Sequence, residues 1–557
     1  LRGKITDRLH RFQQESVGRR LWQHDASIWK DDPAVQQKIR NRLGWLDVIP
    51  EMIKEVPNLQ KFAEELKAEG FTHAVLLGMG GSSLAPDVLR HTFGSAQGYP
   101  ELHVLDTTDS TTIKSVEDKV DLAKTLFIVA SKSGTTIETV SQFKYFWEKV
   151  SSLGISDPGK HFIAITDPGT KLAEEGRNKG FRAVFENRED IGGRYSALSY
   201  FGLVPGAIIG APIDKLLDRA QEMSKECGPD VEPKDNPGVW LGTIMGEMAL
   251  AGRDKLTLVI SPGIGTFGYW VEQLIAESTG KEGKGILPVE GETLGEPSSY
   301  GDDRLFVHLD MGSPEDKEMG QKLESLAQAG HPVVTLRLAG PTDMGGEFLR
   351  WEIATAIAGA ILGINPFDEP NVQESKDNTN RLLKEYENTG KLPEPEPDIT
   401  EDSISLYGYQ GHTLTGALEA FLSSAKAGDY LAIMAYVPYD PEVEKPLQEA
   451  RIQLRDALRI ATTFGYGPRF LHSTGQLHKG GADNGMFLQV TYDEPQDMPI
   501  PGVPYSFNVL KRAQALGDFE ALKGRGRRVL RVHLRGELVE ALRQLQSLVQ
   551  DAIKVRS

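Results

Sequence analysis

The chain has 557 residues, enough for three or four domains at roughly 150 residues each. Apolar residues make up 39% and charged residues 25%, a globular balance that excludes a largely disordered chain. With 62 basic against 79 acidic residues the net charge is −17, so no excess of cations exists to neutralise a nucleic-acid backbone. An anionic ligand must instead be held by local backbone donors or a few placed cations.

Residues 1–70 read as helices, because RLHRFQQESVGRRLWQH and PAVQQKIRNRLGWLDVIPEMIKEV carry apolar residues at helical spacing. The period then shortens. Apolar runs at 73–77 (HAVLL), 102–105 (LHVL), 126–130 (LFIVA), 162–165 (FIAI) and 182–185 (RAVF) are mostly separated by helical stretches. That alternation predicts a parallel sheet covered on both faces. A second alternation follows at 256–260 (LTLVI), 304–309 (RLFVHL) and 333–338 (VVTLRL), before the mostly buried helix EFLRWEIATAIAGAILGI. Residues 389–403 (TGKLPEPEPDITEDS) are rich in proline and acid and read as a linker or extended crossover. Beyond them a third α/β unit is expected, with strands at 430–437, 486–492 and 529–533 and helices around 441–461 and 537–554. The expected division is 1–50, an N-terminal helical segment; 51–210 and 211–395, two α/β lobes; and 396–557, a C-terminal α/β unit.

Cys227 is the single cysteine, so neither an internal disulfide nor a cysteine-rich zinc site can form, and a cytoplasmic setting fits. No apolar stretch approaches the ~18 residues that span a bilayer. The chain starts with Leu rather than Met, the expectation being a processed chain or a piece of a longer one.

Six segments carry candidate chemistry. Gly78-Met79-Gly80-Gly81-Ser82-Ser83 follows a predicted strand and precedes a helix, where backbone amides can approach an anion; a plain serine-capped turn is the alternative. Ser131-Lys132-Ser133-Gly134-Thr135-Thr136 occupies the same position one strand later. Its four hydroxyls exceed what one helix cap uses, which favours a phosphate cradle. Gly263-Ile264-Gly265-Thr266-Phe267-Gly268, with Glu290 at a suitable distance, matches a dinucleotide fingerprint, but it sits late in the chain and a turn serving another ligand is the better reading. Gly280-Lys281-Glu282-Gly283-Lys284-Gly285 follows a helix and lacks nucleotide-loop spacing.

In FGYWVEQLIAEST, Gln273 and Glu277 are four apart and share a face. The negative end of the helix dipole should raise the pKa of Glu277, as suits a general base; on residues alone a solvated helix-end glutamate is the commoner case. Two glycines before Arg194 let its guanidinium approach a cleft and face a developing oxyanion, with a surface salt bridge as the alternative. Finally, the glycine-rich loop His472-Ser473-Thr474-Gly475-Gln476-Leu477-His478-Lys479-Gly480-Gly481 offers two histidines for acid–base work; a metal reading lacks a third close ligand, and a structural hairpin remains open.

Together LGMGGSSLAP, VASKSGTTIET, IGGRYSALSYFGLVP, ESTGKEGKGILP and GAILGINPFDEPNVQESK resemble the phosphoglucose isomerase family, in family order over roughly residues 70–380. The resemblance implies two sugar-isomerase (SIS) lobes and interconversion of glucose 6-phosphate and fructose 6-phosphate. It implies that Ser131, Ser133 and Thr136 hold the phosphate, with backbone help from Lys132, Gly81 and Ser82. It makes Glu277 the base and sets Arg194 against the enediolate, Gln273 along the sugar, Glu138 against a histidine and Lys376 at ring opening. No metal or redox cofactor is implied. Glu369 stands where the family has glutamine, and the ring-opening histidine has no clear match: His331 is out of register, while His472 or His478 could substitute, across a dimer interface if need be. The family resemblance implies a homodimer, and the C-terminal unit is similar to the isomerase part of bacterial transaldolase–phosphoglucose isomerase fusions, which implies a covalently linked transaldolase domain in a longer chain, since these 557 residues show no transaldolase barrel. Two related readings are an isomerase that also accepts mannose 6-phosphate and a non-catalytic sugar-phosphate sensor. A nicotinamide-dependent oxidoreductase, resting on the 263–268 fingerprint, is the third.

Overall fold

A computed structural model describes residues 2–409 and 411–554. Three sheets organise it. The first is all parallel, with β1 (His73–Leu77), β2 (Glu101–Leu105), β3 (Thr125–Ala130), β4 (Phe162–Thr166) and β5 (Ala183–Glu186) in the order β2-β1-β3-β4-β5. The second, also parallel, contains β6 (Lys255–Ile260), β7 (Leu287–Val289), β8 (Arg304–Asp310) and β9 (Val333–Arg337), ordered β7-β6-β8-β9. All strands expected in both lobes are present. The central strand β3 is buried along its whole length, as its continuous apolar run requires.

The N-terminal helices do not stand apart. Trp29 donates from Nε1 to the Ala356 carbonyl at 2.7 Å, and Trp45 stacks on Tyr195 with centroids 5.2 Å apart. Both indoles lie in one continuous core with residues of both lobes, so this segment cements them together. The helix Met344–Leu362 is buried nearly all round, because it packs between Ile213–Glu226, Pro237–Leu250 and Phe267–Thr279.

The third sheet departs from expectation. It has six strands: β10 (Ile399–Glu401), β11 (Ile404–Tyr407), β12 (Tyr430–Ala435), β13 (Ala461–Tyr466), β14 (Gly485–Tyr492) and β15 (Arg528–Leu534), ordered β10-β11-β15-β14-β12-β13. The acidic, proline-rich composition of 389–403 hid a hairpin, in which Asp402 turns the chain with φ 49° between β10 and β11. The helix expected to reach residue 461 stops at Leu458, where Arg459 adopts φ 55°, and β13 follows. A further helix, Phe507–Gly524, went unpredicted because it is buried on most sides and lacks a polar face.

That helix docks the third unit onto the first lobe. Phe507, Leu510, Ala513 and Leu516 share a core with Val75, Leu77 and Phe127. Polar anchors accompany it. Lys511 Nζ lies 2.5 Å from Asp109 and 2.8 Å from Glu494, all three buried, and Arg469 lies 2.9 Å from both Asp87 and Asp106. Burial pushes the Asp109 carboxyl up, but Lys511 outweighs it and holds the group below its ordinary value. Removing one member of such a set leaves uncompensated charge. Lys511→Met should therefore cost about 3–5 kcal/mol, read by urea denaturation; an unchanged midpoint would show that the anchor contributes nothing.

Candidate functional site

The chemistry-bearing loops converge at the C-terminal ends of the first sheet. After β1 the chain makes a tight turn, Gly80–Ser82, and after β3 the loop 131–136 leads into the helix Ile137–Ser151. Gly134 has φ 68°, a left-handed conformation that folds the loop over itself. Ser131 Oγ and Thr136 Oγ1 are 2.9 Å apart, and Ser133 Oγ lies 3.0 Å from Thr135 Oγ1. Thr136 precedes the helix without a side-chain cap bond, so first-turn amides remain available to an anion. The Lys132 ammonium is committed to Asp167 and to the Glu189 carbonyl, and its own carbonyl accepts from Asp167 N and Thr166 Oγ1, which leaves its backbone N–H to serve the loop.

Gly81 meets Gly193 so closely that a Cβ there would sit 2.1 Å from the Gly193 carbonyl. The turn after β1 thus seats the Arg194 segment directly. Gly81→Ala should displace it and lower turnover by roughly 10²-fold, since small misplacements near the reacting atoms carry that cost. Steady-state kinetics with unchanged turnover would show that the contact yields without consequence.

Four of the five Arg194 N–H donors are engaged. Its Nε donates to Ser278 Oγ at 2.7 Å, Nη2 to the carbonyls of Pro366 and Asp368, and Nη1 to Glu369 Oε2 at 3.0 Å; Glu277 Oε1 lies 3.5 Å from Nη1. Glu277 is 8% exposed rather than solvated. Burial raises its pKa above the ordinary carboxylate range and Glu369 adds to the rise, while Arg194 and Gln273 oppose it. Desolvation, more than the helix dipole invoked from sequence, is thus the main cause. Lys281, in the loop after this helix, is buried and bonded to Asp368 Oδ1 at 2.8 Å; burial lowers its pKa to about 8. It fixes the segment that carries Glu369.

Hydrogen bonds through Gln273 and His472 lead from the Glu277 carboxylate to the helix that follows the hydroxyl loop. Gln273 Nε2 donates to Glu277 Oε2 and to the His472 carbonyl, each at 2.9 Å. His472 Nε2 lies 2.8 Å from Glu138 Oε1, in the first turn after the hydroxyl loop, and Gln514 Nε2 donates to the same oxygen at 2.7 Å. Gln514 in turn accepts from Thr108 at 2.8 Å. Burial pushes Glu138 up, but His472 overrides it and keeps the carboxyl below its usual value. Lys376, Glu138, His472 and Gln514 line one cleft of about 290 Å³ with Ser133 and Thr136.

The expectations divide accordingly. Glu277, Arg194, Gln273, Glu138, His472, Lys376, Gly81, Ser82 and the 131–136 loop gather around this place. His472 reaches it from the third unit of the same chain, not across an interface. His478 does not belong with them: it is buried among Tyr430, Phe470 and Phe487, and its ring nitrogens have no hydrogen-bond partner among the described residues. Burial holds it well below its ordinary pKa, so it is a neutral core residue. His331 packs on Tyr300 and Phe306 beside β8. The 263–268 loop follows β6 and leads into the helix Phe267–Thr279, yet it lines a different cleft with Glu290 and His91. Sequence reasoning missed Gln514, Ser278 and Lys281. Nothing local marks Gln514, whereas Ser278 sits beside Glu277 and could have been suspected.

The phosphoglucose isomerase family model matches residues 36–286. A probable glucose-6-phosphate isomerase of Methanococcus maripaludis is 29% identical over 385 residues, covering 61% of this chain and 84% of the relative. The glucose-6-phosphate isomerase of Rubrobacter xylanophilus is 29% identical over 56% of this chain and 83% of its own. Among solved structures, a hypothetical protein of Thermus thermophilus aligns with TM-score 0.58 and 24% identity, over 68% of this chain and 97% of that one. A glucose-6-phosphate isomerase of Chlamydia trachomatis aligns with TM-score 0.52 at 20% identity, over 67% and 79%. Fold, site and relatives define an aldose–ketose isomerase. More narrowly, over these spans the chain is similar to glucose-6-phosphate isomerases.

Proposed function

We propose that the chain interconverts glucose 6-phosphate and fructose 6-phosphate through a cis-enediolate. The observation that carries this reading is the run of contacts from the Arg194–Glu277 ion pair, through the Gln273 hydrogen bonds to Glu277 and to the His472 carbonyl, to the His472 ring beside Glu138 and the hydroxyl loop. The unreactive phosphate binds at Ser131, Ser133 and Thr136 and anchors the sugar. His472, oriented by Glu138, protonates the ring oxygen as the hexose opens, with Lys376 beside it. Glu277 then removes the C2 proton, α to the new carbonyl. Arg194 stabilises the charge that develops on oxygen. The same carboxylic acid returns the proton to C1.

A coupled assay for glucose 6-phosphate formed from fructose 6-phosphate by the purified chain tests this directly; no turnover would remove it. Running mannose 6-phosphate alongside decides whether the C2 epimer is also a substrate. The family resemblance also supports a homodimer and, in a longer chain, an attached transaldolase unit. The residues gathered at the site all come from one chain, so a second copy is not needed to supply His472. Among the described residues no helix is long and apolar enough to cross a membrane.

A further inference from the structure

The first sheet carries its reacting loops at the C-terminal ends of its strands. At the opposite, N-terminal edge lies a cluster that the isomerase reading leaves unused. Glu101 and His103 are two apart on β2 and therefore project from the same face. The parallel register pairs His73 of β1 with Glu101, which sets the second imidazole on that face too. One ligand atom from each of the three lies within 4.8 Å of the others.

The details suit coordination better than an ion pair. His103 Nε2 is 3.7 Å from Glu101 Oε1, beyond hydrogen-bond range, and it is enclosed with no hydrogen-bond partner among the described residues. The two imidazole planes are inclined by only 25°, with centroids 5.8 Å apart. His73 Nδ1 is 2.9 Å from Thr72 Oγ1, an outer contact of the kind that fixes a ligand ring and leaves the other nitrogen to bind.

We propose that His73, Glu101 and His103 bind a borderline divalent cation such as Zn²⁺, clipping the edge strand β2 to β1. Two imidazoles and one carboxylate match zinc, cobalt or nickel, and not magnesium or calcium, which take oxygen shells. The clip is structural. The residues just after β2, Asp106 and Asp109, receive Arg469 and Lys511 of the third unit, so fixing β2 steadies that docking surface.

The test uses the full chain after chelator treatment. Zn²⁺ is titrated in competition with a chromophoric chelator, and Co²⁺ is followed by its visible absorption. Wild type should bind with affinity at least tenfold tighter than His103→Gln or the exposed Glu101→Gln, and both should lose the Co²⁺ band. His308→Asn serves as a control, because His308, Asp310 and Asp316 form a second group of possible ligands. Equal affinity in wild type and both cluster variants, loss of binding only in His308→Asn, or no binding in wild type would each overturn the proposal. Glu101→Gln keeps the fold testable if His103→Gln does not.

Discussion

Glu277→Gln is expected to preserve the fold and sugar-phosphate binding while lowering turnover by a factor of ~10²–10⁴. Glutamine keeps the shape and can still meet Gln273 and Arg194, but it cannot accept the C2 proton. The loss should fall on kcat, since the 131–136 loop, proposed to hold the phosphate, is untouched. The base also predicts a pH signature. Burial and Glu369 raise the Glu277 pKa, and Arg194 only partly offsets them. The base is inactive when protonated, so kcat/KM should fall as pH drops through that raised value, on an acid limb above the ordinary carboxylate range. Glu369→Gln removes one of the raising charges and should shift the limb to lower pH. A profile flat through the carboxylate range in wild type, or near-normal turnover in Glu277→Gln, would remove Glu277 from the reaction.

How far the sequence discloses such a site depends on whether its parts are local. The hydroxyl loop announces itself because strand, polar turn and helix are adjacent in the chain, and the same holds for the Gly80–Ser82 turn. The two parallel sheets are legible for a similar reason: buried strands such as β3 are continuous apolar runs. Glu277 is different. Its residues alone favoured a solvated helix end, and only tertiary packing against Arg194 and the third unit removes it from water. The third sheet is the least legible part. β10 and β11 lie in or beside an acidic, proline-rich stretch, β13 follows its helix with a single turning residue, and the helix Phe507–Gly524 lost its amphipathic signal by being buried on several sides. His472 and His478 are six residues apart in one motif, and spacing cannot tell them apart. What separates them is that His472 meets Glu138, 334 residues earlier, while His478 faces aromatic rings.

That separation supports a sharper prediction about His472. His472→Gln retains an N–H that can still donate to Glu138, so the loop and the Gln273 contact to its carbonyl should persist. What disappears is the imidazole, the part of this side chain that can pass a proton to the ring oxygen. If His472 opens the ring, turnover of glucose 6-phosphate should fall by ~10²–10⁴. A four-carbon aldose 4-phosphate, whose blocked terminal oxygen prevents ring closure, has nothing to open. Exchange of its C2 proton with solvent, followed by NMR in D₂O, should be nearly as fast in His472→Gln as in wild type, yet abolished in Glu277→Gln. Equal losses on cyclic and acyclic substrates would instead make His472 a positioning residue for Gln273 and Glu277. Glu138→Gln provides the internal check. It removes the charge behind His472 and should reproduce the ring-opening defect more weakly, with proton exchange again spared.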